Sequence, residues 1–354
     1  MYDIIKQIHD TDGHFELAIT GGGTSAISQL LAVPGASRSL LNAVVPYSDS
    51  ALRQYIGTTP DQACNDRTAR LLATRAFHNA QNLCSTKVIG IGATAALQTD
   101  RKRRGKDQIF VAAQTMQHTQ VYHLELNKAQ SRTEQELQCS ELVIRIMADN
   151  LNIPISTVPK PFLAQTGNES WQSLLSGRTL MTGNQEFQAV LPGAFNPPHQ
   201  GHFDMRRIAE RKLGIPVAFE LSAFNVDKPP LDFIDLQQRQ TWLGEAPVVF
   251  TRAATFIEKS ALFPGATFVV GTDTLIRIDD AKYYGNSEAG RESAIETFKA
   301  NGHRFLVFGR MKEDQFVGLA NLPISDALKS LCIEVPEEEF RLDISSSEIR
   351  ANHS

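Results

Sequence analysis

A short apolar run that ends at a glycine, and is followed by two prolines and a helical pattern, constrains the fold of this chain most. Residues 187–191 (F-Q-A-V-L) have the character of a buried strand, and Gly193 interrupts the run where the backbone must turn. Pro197 and Pro198 then fix the chain ahead of a helical pattern from about residue 199 to residue 213. These signals predict a strand, a tight loop and a helix in that order.

The start of this helix carries two histidines that suit a polyphosphate ligand. His199 and His202 are three residues apart, so on a helix they share a face at its first turn. That turn presents free N–H groups and the positive end of the helix dipole, which together favour anions. A zinc pair is the alternative, but no third and fourth ligand with metal spacing lies nearby, and we expect no metal site built from protein side chains.

A second phosphate-binding candidate lies near the C-terminus, where residues 344–350 read I-S-S-S-E-I-R. Ser346 and Ser347 can donate hydroxyls or cap a helix, and Arg350 offers a planar fork that matches phosphate oxygens. Taken alone, the serine run is an ordinary helix cap. The sequence contains no Walker loop, G-x-x-x-x-G-K-[ST], so phosphate binding would depend on the histidines and this arginine.

These two motifs, with residues 193–202 reading G-A-F-N-P-P-H-Q-G-H, resemble the paired motifs of the nucleotidylyltransferase superfamily. They are most similar to its nicotinamide mononucleotide adenylyltransferase branch, and the resemblance extends from about Phe187 to the C-terminus. Residues 268–273 (F-V-V-G-T-D) are similar to the family's F-x-x-G-x-D strand end. Residues 305–310 (F-L-V-F-G-R) resemble its next strand, which ends in arginine.

The resemblance implies an enzyme in which the phosphate of a mononucleotide attacks the α-phosphorus of ATP and releases pyrophosphate. ATP is then a substrate, Mg²⁺ is held chiefly by phosphates and water, and catalysis is positioning and charge stabilisation. His199 and His202 would hold ATP phosphates, with His202 nearer the α-phosphate. Ser346, Ser347 and Arg350 would grip the β and γ groups. We take His199, His202 and Arg350 as the catalytic residues.

The same resemblance predicts the residues that line the nucleotide and the acceptor. The nucleotide would contact Gly193, Ala194, Phe195, Asn196, Gly271, Asp273 and Arg310. Lys228 lies in N-V-D-K-P-P, where relatives recognise the acceptor, and could reach its phosphate. Trp242 could stack on a ring, although a single tryptophan on a helix also fits a core position. Asp273 by itself also fits a helix cap after a strand.

The leading prediction is adenylyl transfer to a pyridine mononucleotide, either nicotinamide mononucleotide or its deamido form, which gives NAD or deamido-NAD. This is a step of NAD biosynthesis. Another phosphorylated acceptor is the alternative within the superfamily: phosphopantetheine, or an alcohol or sugar phosphate with CTP. A nucleotide-binding sensor without turnover is the alternative of another class, and the intact His199, His202, Ser347 and Arg350 argue against it.

The first 150 residues contain motifs of a different family. Residues 20–26 (T-G-G-G-T-S-A) nominally satisfy the dinucleotide-binding fingerprint, which is a weak signal by itself. Together with V-P-G-A-S at 33–37, A-V-V-P-Y-S at 43–48 and a helix near 134–150, they resemble the CinA-like domain. The best-known members of that family hydrolyse the amide of nicotinamide mononucleotide.

The catalytic positions of that family carry apolar residues in this chain. Its nucleophilic serine, its lysine and its threonine correspond to Ala18, Leu52 and Ile89. Without a nucleophile and a base, amide hydrolysis has no evident machinery, so we expect no amidase activity. A remnant pocket for a mononucleotide and a scaffold or dimerisation role are both open.

The order of these patterns predicts an α/β protein with two domains. Strand and helix patterns alternate between Val217 and Phe308, which predicts a doubly wound parallel sheet of the Rossmann-like kind, with its ligand where the strand order reverses. The predicted bounds are a CinA-like α/β domain at residues 1–150, a proline-containing linker at residues 151–185 and a nucleotidyltransferase domain at residues 186–354.

Composition narrows the class of partner. The net charge is −4, no apolar run reaches membrane-spanning length, and the 4 cysteines form no disulfide or zinc pattern. We therefore expect a cytoplasmic protein whose partners are small-molecule nucleotides, not nucleic acid or membrane, with a homo-oligomer through the N-terminal domain left open. The basic run R-K-R-R-G-K at residues 101–106 fits a solvated loop, with weak anion binding as the alternative.

Overall fold

The structure is a computed structural model that describes residues 1–100, 104–157, 160–225, 229–312 and 315–340. The helices are α1 (Tyr2–His9), α2 (Ser25–Ala32), α3 (Asp49–Ile56), α4 (Asp66–Leu83), α5 (Arg132–Asn150), α6 (Glu169–Ser176), α7 (Gln200–Leu213), α8 (Phe233–Leu243), α9 (Phe256–Leu262), α10 (Thr272–Ile278), α11 (Glu288–Ala300) and α12 (Asp326–Lys329). The strands are β1 (His14–Thr20), β2 (Leu40–Val44), β3 (Val88–Ala96), β4 (Gln108–Gln114), β5 (His118–Glu125), β6 (Leu163–Thr166), β7 (Ala189–Pro192), β8 (Ala218–Ser222), β9 (Val248–Thr251), β10 (Thr267–Gly271), β11 (Arg304–Phe308), β12 (Arg310–Lys312), β13 (Gln315–Val317) and β14 (Cys332–Val335).

The chain divides into two compact units. The first holds Met1–Gln172 together with Asp227–Leu236, and the second holds Ser173–Val226 and Gln237–Ser354. The predicted linker, residues 151–185, contains β6 and α6. Strand β6 pairs with β5 and so extends the sheet of the first unit. The predicted domain bounds follow the family motifs, whereas this division follows compactness, so the predicted bounds stay a prediction.

The first unit is built on a mixed sheet with the strand order β2-β1-β3-β4-β5-β6. Its strands β2, β1 and β3 are parallel, and β3 to β6 are antiparallel. The main core packs apolar residues of β1 and β3, such as Phe15, Leu17 and Ile91, against α5 residues such as Val143 and Ile146. Strands β1 and β3 are buried along almost their whole length and do not alternate between buried and exposed residues, because helices cover both faces of the sheet.

The opposite face of this sheet receives α4 at very short range. A Cβ atom at Gly90 would lie 2.2 Å from the Ala73 carbonyl oxygen, and one at Gly92 would lie 2.3 Å from the Ala73 nitrogen. Only glycine fits at two such positions, where a strand and a helix backbone approach each other directly. The small residues on α4, including Ala69, make this approach possible.

A buried ion pair also belongs to the first unit. The Arg70 guanidinium on α4 donates to the Asp232 carboxylate at 2.5 Å, and Asp235 lies 3.4 Å away. Both Arg70 and Asp232 are almost inaccessible to solvent. Burial raises the pKa of Asp232, and the charge of Arg70 opposes that shift. A buried charge must be paired to be tolerated, so loss of either partner would destabilise this unit.

The second unit is built on a parallel sheet with the strand order β14-β11-β10-β7-β8-β9. The chain runs from β7 outwards through β8 to β9, returns to β10, and then runs outwards in the other direction. The strand order therefore reverses between β7 and β10, which is where doubly wound sheets bind their ligands. The predicted α/β class with a C-terminal doubly wound, Rossmann-like parallel sheet is confirmed.

Pairing across the reversal point fixes the edge at which loops meet. Ala189 of β7 pairs with Thr267 of β10, and Val190 pairs with Phe268. Because both strands run in the same direction, the loops after Pro192 and after Gly271 leave the same edge of the sheet. Among the described residues, no helix combines the length and the apolar character that crossing a membrane requires.

Candidate nucleotide site

The loop after β7 folds back on its own aromatic side chain. The N–H of Gly193 donates to the carbonyl of Glu220 on β8 at 2.9 Å, and a Cβ atom at position 193 would lie 2.4 Å from Cζ of Phe195. Phe195 is buried and packs against Phe219 with ring centroids 4.8 Å apart. Its φ of 43° lies in the left-handed region, which costs a residue with a side chain about 1–3 kcal/mol. Glycine at position 193 is therefore required by the ring of Phe195.

A buried arginine holds the next residue of this loop. Nε of Arg239 on α8 donates to the carbonyl of Ala194 at 3.1 Å, and Arg239 is buried while Ala194 is exposed. Asn196 is partly buried, and its bond to Pro197 is cis. Sequence reasoning missed Arg239, since an arginine inside a helix pattern has no signal of its own at the level of sequence. The hydrogen bond from Arg239 holds the backbone of the loop at Ala194.

The two histidines at the start of α7 form a stacked pair. Their ring centroids are 3.7 Å apart, with an angle of 29° between the planes, and His202 also meets the ring of Phe195 edge-on at 5.0 Å. Nδ1 of His202 accepts the backbone N–H of His199 at 3.1 Å. An imidazole that accepts at Nδ1 is neutral and carries its proton on Nε2, so His202 is a hydrogen-bond donor at Nε2.

Burial lowers the pKa of both imidazoles. It lowers the pKa of His199, and together with the neighbouring His199 it lowers the pKa of His202 to about 3. Nδ1 of His199 is enclosed and has no hydrogen-bond partner among the described residues. An anion placed beside the rings would favour their protonation.

The end of β10 brings a second set of predicted residues to the same edge of the sheet. Gly271 ends β10 in front of α10, and a Cβ atom there would meet nothing within 4 Å, so the space above it is open. Asp273 and Arg310 form an ion pair with 2.6 Å between Oδ2 and Nη1. Both side chains are substantially exposed, at 58% and 37%. A pair this exposed contributes little stability, about 0–1 kcal/mol, and is easily exchanged for a ligand.

Residues 190–352 match the family model described as cytidylyltransferase-like. This stretch contains the β7 loop, the histidine pair, the β10 end and the I-S-S-S-E-I-R motif. The C-terminal part of the chain therefore contains a cytidylyltransferase-like domain. It is therefore a nucleotidyltransferase domain.

Solved structures similar to this chain include proteins of the CinA superfamily. The competence/damage inducible protein CihA from Agrobacterium tumefaciens is 16% identical, with a TM-score of 0.36, and the match covers 42% of this chain and 94% of that one. A CinA superfamily protein from Enterobacter cloacae is 14% identical, with a TM-score of 0.36 and coverages of 42% and 91%. One from Klebsiella pneumoniae is 12% identical, with a TM-score of 0.37 and coverages of 43% and 97%.

These neighbours carry the family name that the N-terminal motifs suggested. Their identities and TM-scores are too low to carry an argument about what the N-terminal unit does. No curated protein matches the chain in sequence.

Of the other residues predicted for the nucleotidyltransferase domain, one lies on the surface and four lie outside the described residues. Trp242 on α8 is 36% exposed, so it is a surface side chain and the alternative of a core position is wrong. Lys228, Ser346, Ser347 and Arg350 lie outside the residues that the structure describes, and their predicted roles stay predictions. In the described ranges, no group of three or more His, Cys, Asp and Glu side chains is arranged to hold a metal ion.

The amidase positions of the N-terminal unit are packing positions. Ala18 and Leu52 lie in one hydrophobic cluster with Ile56 of α3, and Ile89 is fully buried in the main core. Ser48 caps α3 by accepting the N–H of Ala51 at 3.2 Å. Apolar contacts thus fill the places where a nucleophile and a base would be needed, although the expected absence of amidase activity stays a prediction. Of the basic run, Arg101, Lys102 and Arg103 lie outside the described residues.

Proposed function

We propose that the C-terminal domain transfers AMP from ATP to a pyridine mononucleotide, either nicotinamide mononucleotide or its deamido form, and releases pyrophosphate. The observation that carries this proposal is the stacked pair of imidazoles, His199 and His202, beside the reversal point of the sheet. The family match supports nucleotidyl transfer. The closer resemblance of the two sequence motifs to pyridine-nucleotide enzymes supports this acceptor.

The reaction needs no covalent enzyme intermediate. An oxygen of the mononucleotide phosphate forms a bond to the α-phosphorus of ATP, and the bond from that phosphorus to the bridging oxygen breaks, so that its electron pair leaves with pyrophosphate. Negative charge therefore grows on the leaving group, and the site must stabilise it. His202 would donate from Nε2 to an oxygen of the α-phosphate, and His199 would bind a neighbouring phosphate.

The remaining residues would position the nucleotide. Asp273 and Arg310 would exchange their exposed ion pair for contacts with the nucleotide, at little loss of stability. The backbone from Gly193 to Asn196 would line one side, in the conformation fixed by Phe195 and by Arg239. Ser346, Ser347 and Arg350 are proposed for the β- and γ-phosphates. Mg²⁺ would bind through the phosphates and water and would neutralise their charge.

The decisive experiment measures pyrophosphate release from the full chain with Mg²⁺, with ATP or CTP offered against each acceptor and products identified by mass. The acceptors are nicotinamide mononucleotide, its deamido form, phosphopantetheine and an alcohol phosphate. We expect ATP with a pyridine mononucleotide to give NAD or deamido-NAD. Turnover only with CTP, or only with another acceptor, would refute the pyridine assignment. The absence of pyrophosphate release with every pair would favour a binding protein. Ammonia release without ATP would instead indicate an amidase.

Two variants on α7 separate the proposed chemistry from folding. His202→Ala should lower turnover by about 10²–10³-fold, the effect of removing one donor from a developing charge, with a small change in ATP affinity. Arg207→Ala is the matched control, because the side chain of Arg207 is 72% exposed on the same helix and should leave turnover unchanged. Equal activity of the two variants would refute the role of His202.

A further inference from the structure

The glycine loop of the N-terminal unit is filled by a side chain from a distant helix. Residues 20–26 (T-G-G-G-T-S-A) connect β1 to α2, and the carboxylate that enters the loop belongs to Glu136 on α5. Oε2 of Glu136 accepts the N–H of Gly23 at 2.7 Å. Oε1 accepts the N–H of Ser25 at 2.9 Å, together with the hydroxyls of Thr24 at 3.0 Å and Ser25 at 3.2 Å.

The conformation of the loop gathers these donors around one point. Gly21 and Gly23 have φ values of 76° and 89°, and a Cβ atom at Gly21 would lie 1.9 Å from the carbonyl oxygen of Ala95. In this loop the N–H groups of Gly23 and Ser25 reach the same carboxylate, ahead of a helix of eight residues whose N-terminus is positive. Two N–H groups and two hydroxyls around one pair of oxygens form a seat for an oxyanion.

The carboxylate is held in place by its own helix. α5 begins with a capping box in which Ser131 and Glu134 satisfy each other's backbone N–H groups. One turn beyond Glu136, the Cβ atom of Cys139 lies 3.5 Å from the position of a Cβ atom on Gly23. Burial, and then the charge of Glu136, raise the pKa of Cys139 to about 12. Glu136 therefore enters the loop from a helix whose start is fixed by its own capping box.

A pocket of about 300 Å³ opens beside the seat. Its lining includes Gly21, Gly22, Tyr47 and Arg132 as well as Glu136 itself. A ligand that enters this pocket therefore meets a glycine loop whose donors are already occupied. A phosphate that approached the loop would have to displace a carboxylate bearing the same sign of charge and four hydrogen bonds.

We propose that the loop from Gly21 to Ser25 is an oxyanion-binding site that the protein fills with its own carboxylate, Glu136. The resident carboxylate takes the place of a phosphate or a free carboxylate and closes the site to both. The unit thereby keeps the geometry of a phosphate loop without binding phosphate. Loss of Glu136 unmasks the site.

The test uses the full chain labelled with ¹⁵N-glycine and ¹⁵N-serine, so that Gly23 and Ser25 report on the loop and not on the nucleotide site. Wild type, Glu136→Ala and Glu141→Ala are titrated with inorganic phosphate, and with sodium chloride at matched ionic strength. Glu141 is a matched control on the same helix, since its side chain is 47% exposed and pairs with Arg145. We expect E136A to show saturable phosphate-dependent shifts at Gly23 and Ser25, with an affinity at least about tenfold above wild type and E141A, or about 1.4 kcal/mol.

Three outcomes are decisive. Equal phosphate binding at the loop in wild type and E136A would overturn the proposal, because the carboxylate would not then be competing. A folded E136A whose loop ignores phosphate would also overturn it. If E136A does not fold in chloride, phosphate or sulfate should restore its folding, and failure in all three salts would count against an oxyanion seat.

Discussion

His202 should remain neutral at pH values where an exposed histidine is already protonated, and the stability of the second unit should record this. Burial first, and the ring of His199 second, lower the pKa of His202 to about 3, whereas a histidine in an unfolded chain titrates near about 6.5. Nδ1 of His202 also accepts the N–H of His199, and a protonated ring could not accept that hydrogen bond.

The sign of the effect follows from proton binding. Above about pH 6.5 the ring is neutral in the folded and unfolded chains, so the stability associated with it is fully present. As the pH falls from about 6.5 towards 3, the unfolded chain binds a proton that the folded unit does not, and the free energy of unfolding decreases. Between about pH 7 and pH 5 this decrease amounts to about 2 kcal/mol.

Urea unfolding at the two pH values measures this decrease. Trp242 lies in the second unit and Trp171 in the first, so a Trp171→Phe background leaves Trp242 fluorescence as the reporter of the second unit. The comparison is with His202→Asn, whose amide oxygen can accept the His199 N–H and whose side chain does not titrate. The stability of the protein with His202 should fall by about 2 kcal/mol more than that of the variant when the pH drops from about 7 to 5.

Two results would refute this reasoning. One is a stability difference between the two proteins that does not depend on pH. The other is a ¹⁵N signal of the His202 ring that titrates near about pH 6.5 in the folded chain, as an exposed histidine does. Either would mean that the ring is open to solvent and that its Nδ1 does not hold the N–H of His199.

Three further substitutions test the packing around the site. Gly193→Ala forces a methyl group to within 2.4 Å of Cζ of Phe195, so thermal unfolding should show a loss of about 1–3 kcal/mol and pyrophosphate release should fall with it. Lys259→Met leaves the fully buried Glu220 without its 2.7 Å ion pair, and chemical denaturation should show a loss of about 3–5 kcal/mol. Asp273→Asn removes only an exposed pair; the melting temperature should barely move, and a raised KM for ATP would place Asp273 at the nucleotide.

Local patterns in the sequence predicted the second unit well because its elements are set by near neighbours. The apolar run before Gly193 became β7, and the helical pattern after Pro198 became α7. The alternating strand and helix patterns predicted a doubly wound parallel sheet, since each strand is buried on both faces and reads as a short apolar run. The prediction that the ligand binds where the strand order reverses followed from this alternation, whereas the strand order itself is given by the pairing of β7 with β10 and β8.

In the N-terminal unit, local sequence patterns predicted less of the structure. The glycines of residues 20–26 gave only a weak dinucleotide-binding fingerprint, and in the structure they form the loop between β1 and α2. Strand β6 falls within the predicted linker, because four residues between Pro161 and Gly167 have too little pattern to indicate a strand. Its pairing with β5 supplies the hydrogen bonds that make it one.

Three features could be taken from the sequence: the order of the elements, the glycine and histidine positions of the β7 loop, and the apolar residues Ala18 and Leu52 at positions where the CinA-like family has polar ones. These depend on residue type and on spacings within one turn of helix or a few residues of strand. The tertiary structure alone decided what each polar side chain binds. The carboxylate of Glu136 is 113 residues from the N–H of Gly23 that it accepts, and Arg239 is 45 residues from the Ala194 carbonyl. Hydrogen bonds and ion pairs require atoms within about 3 Å of each other, and distances of that kind exist only once the chain has folded.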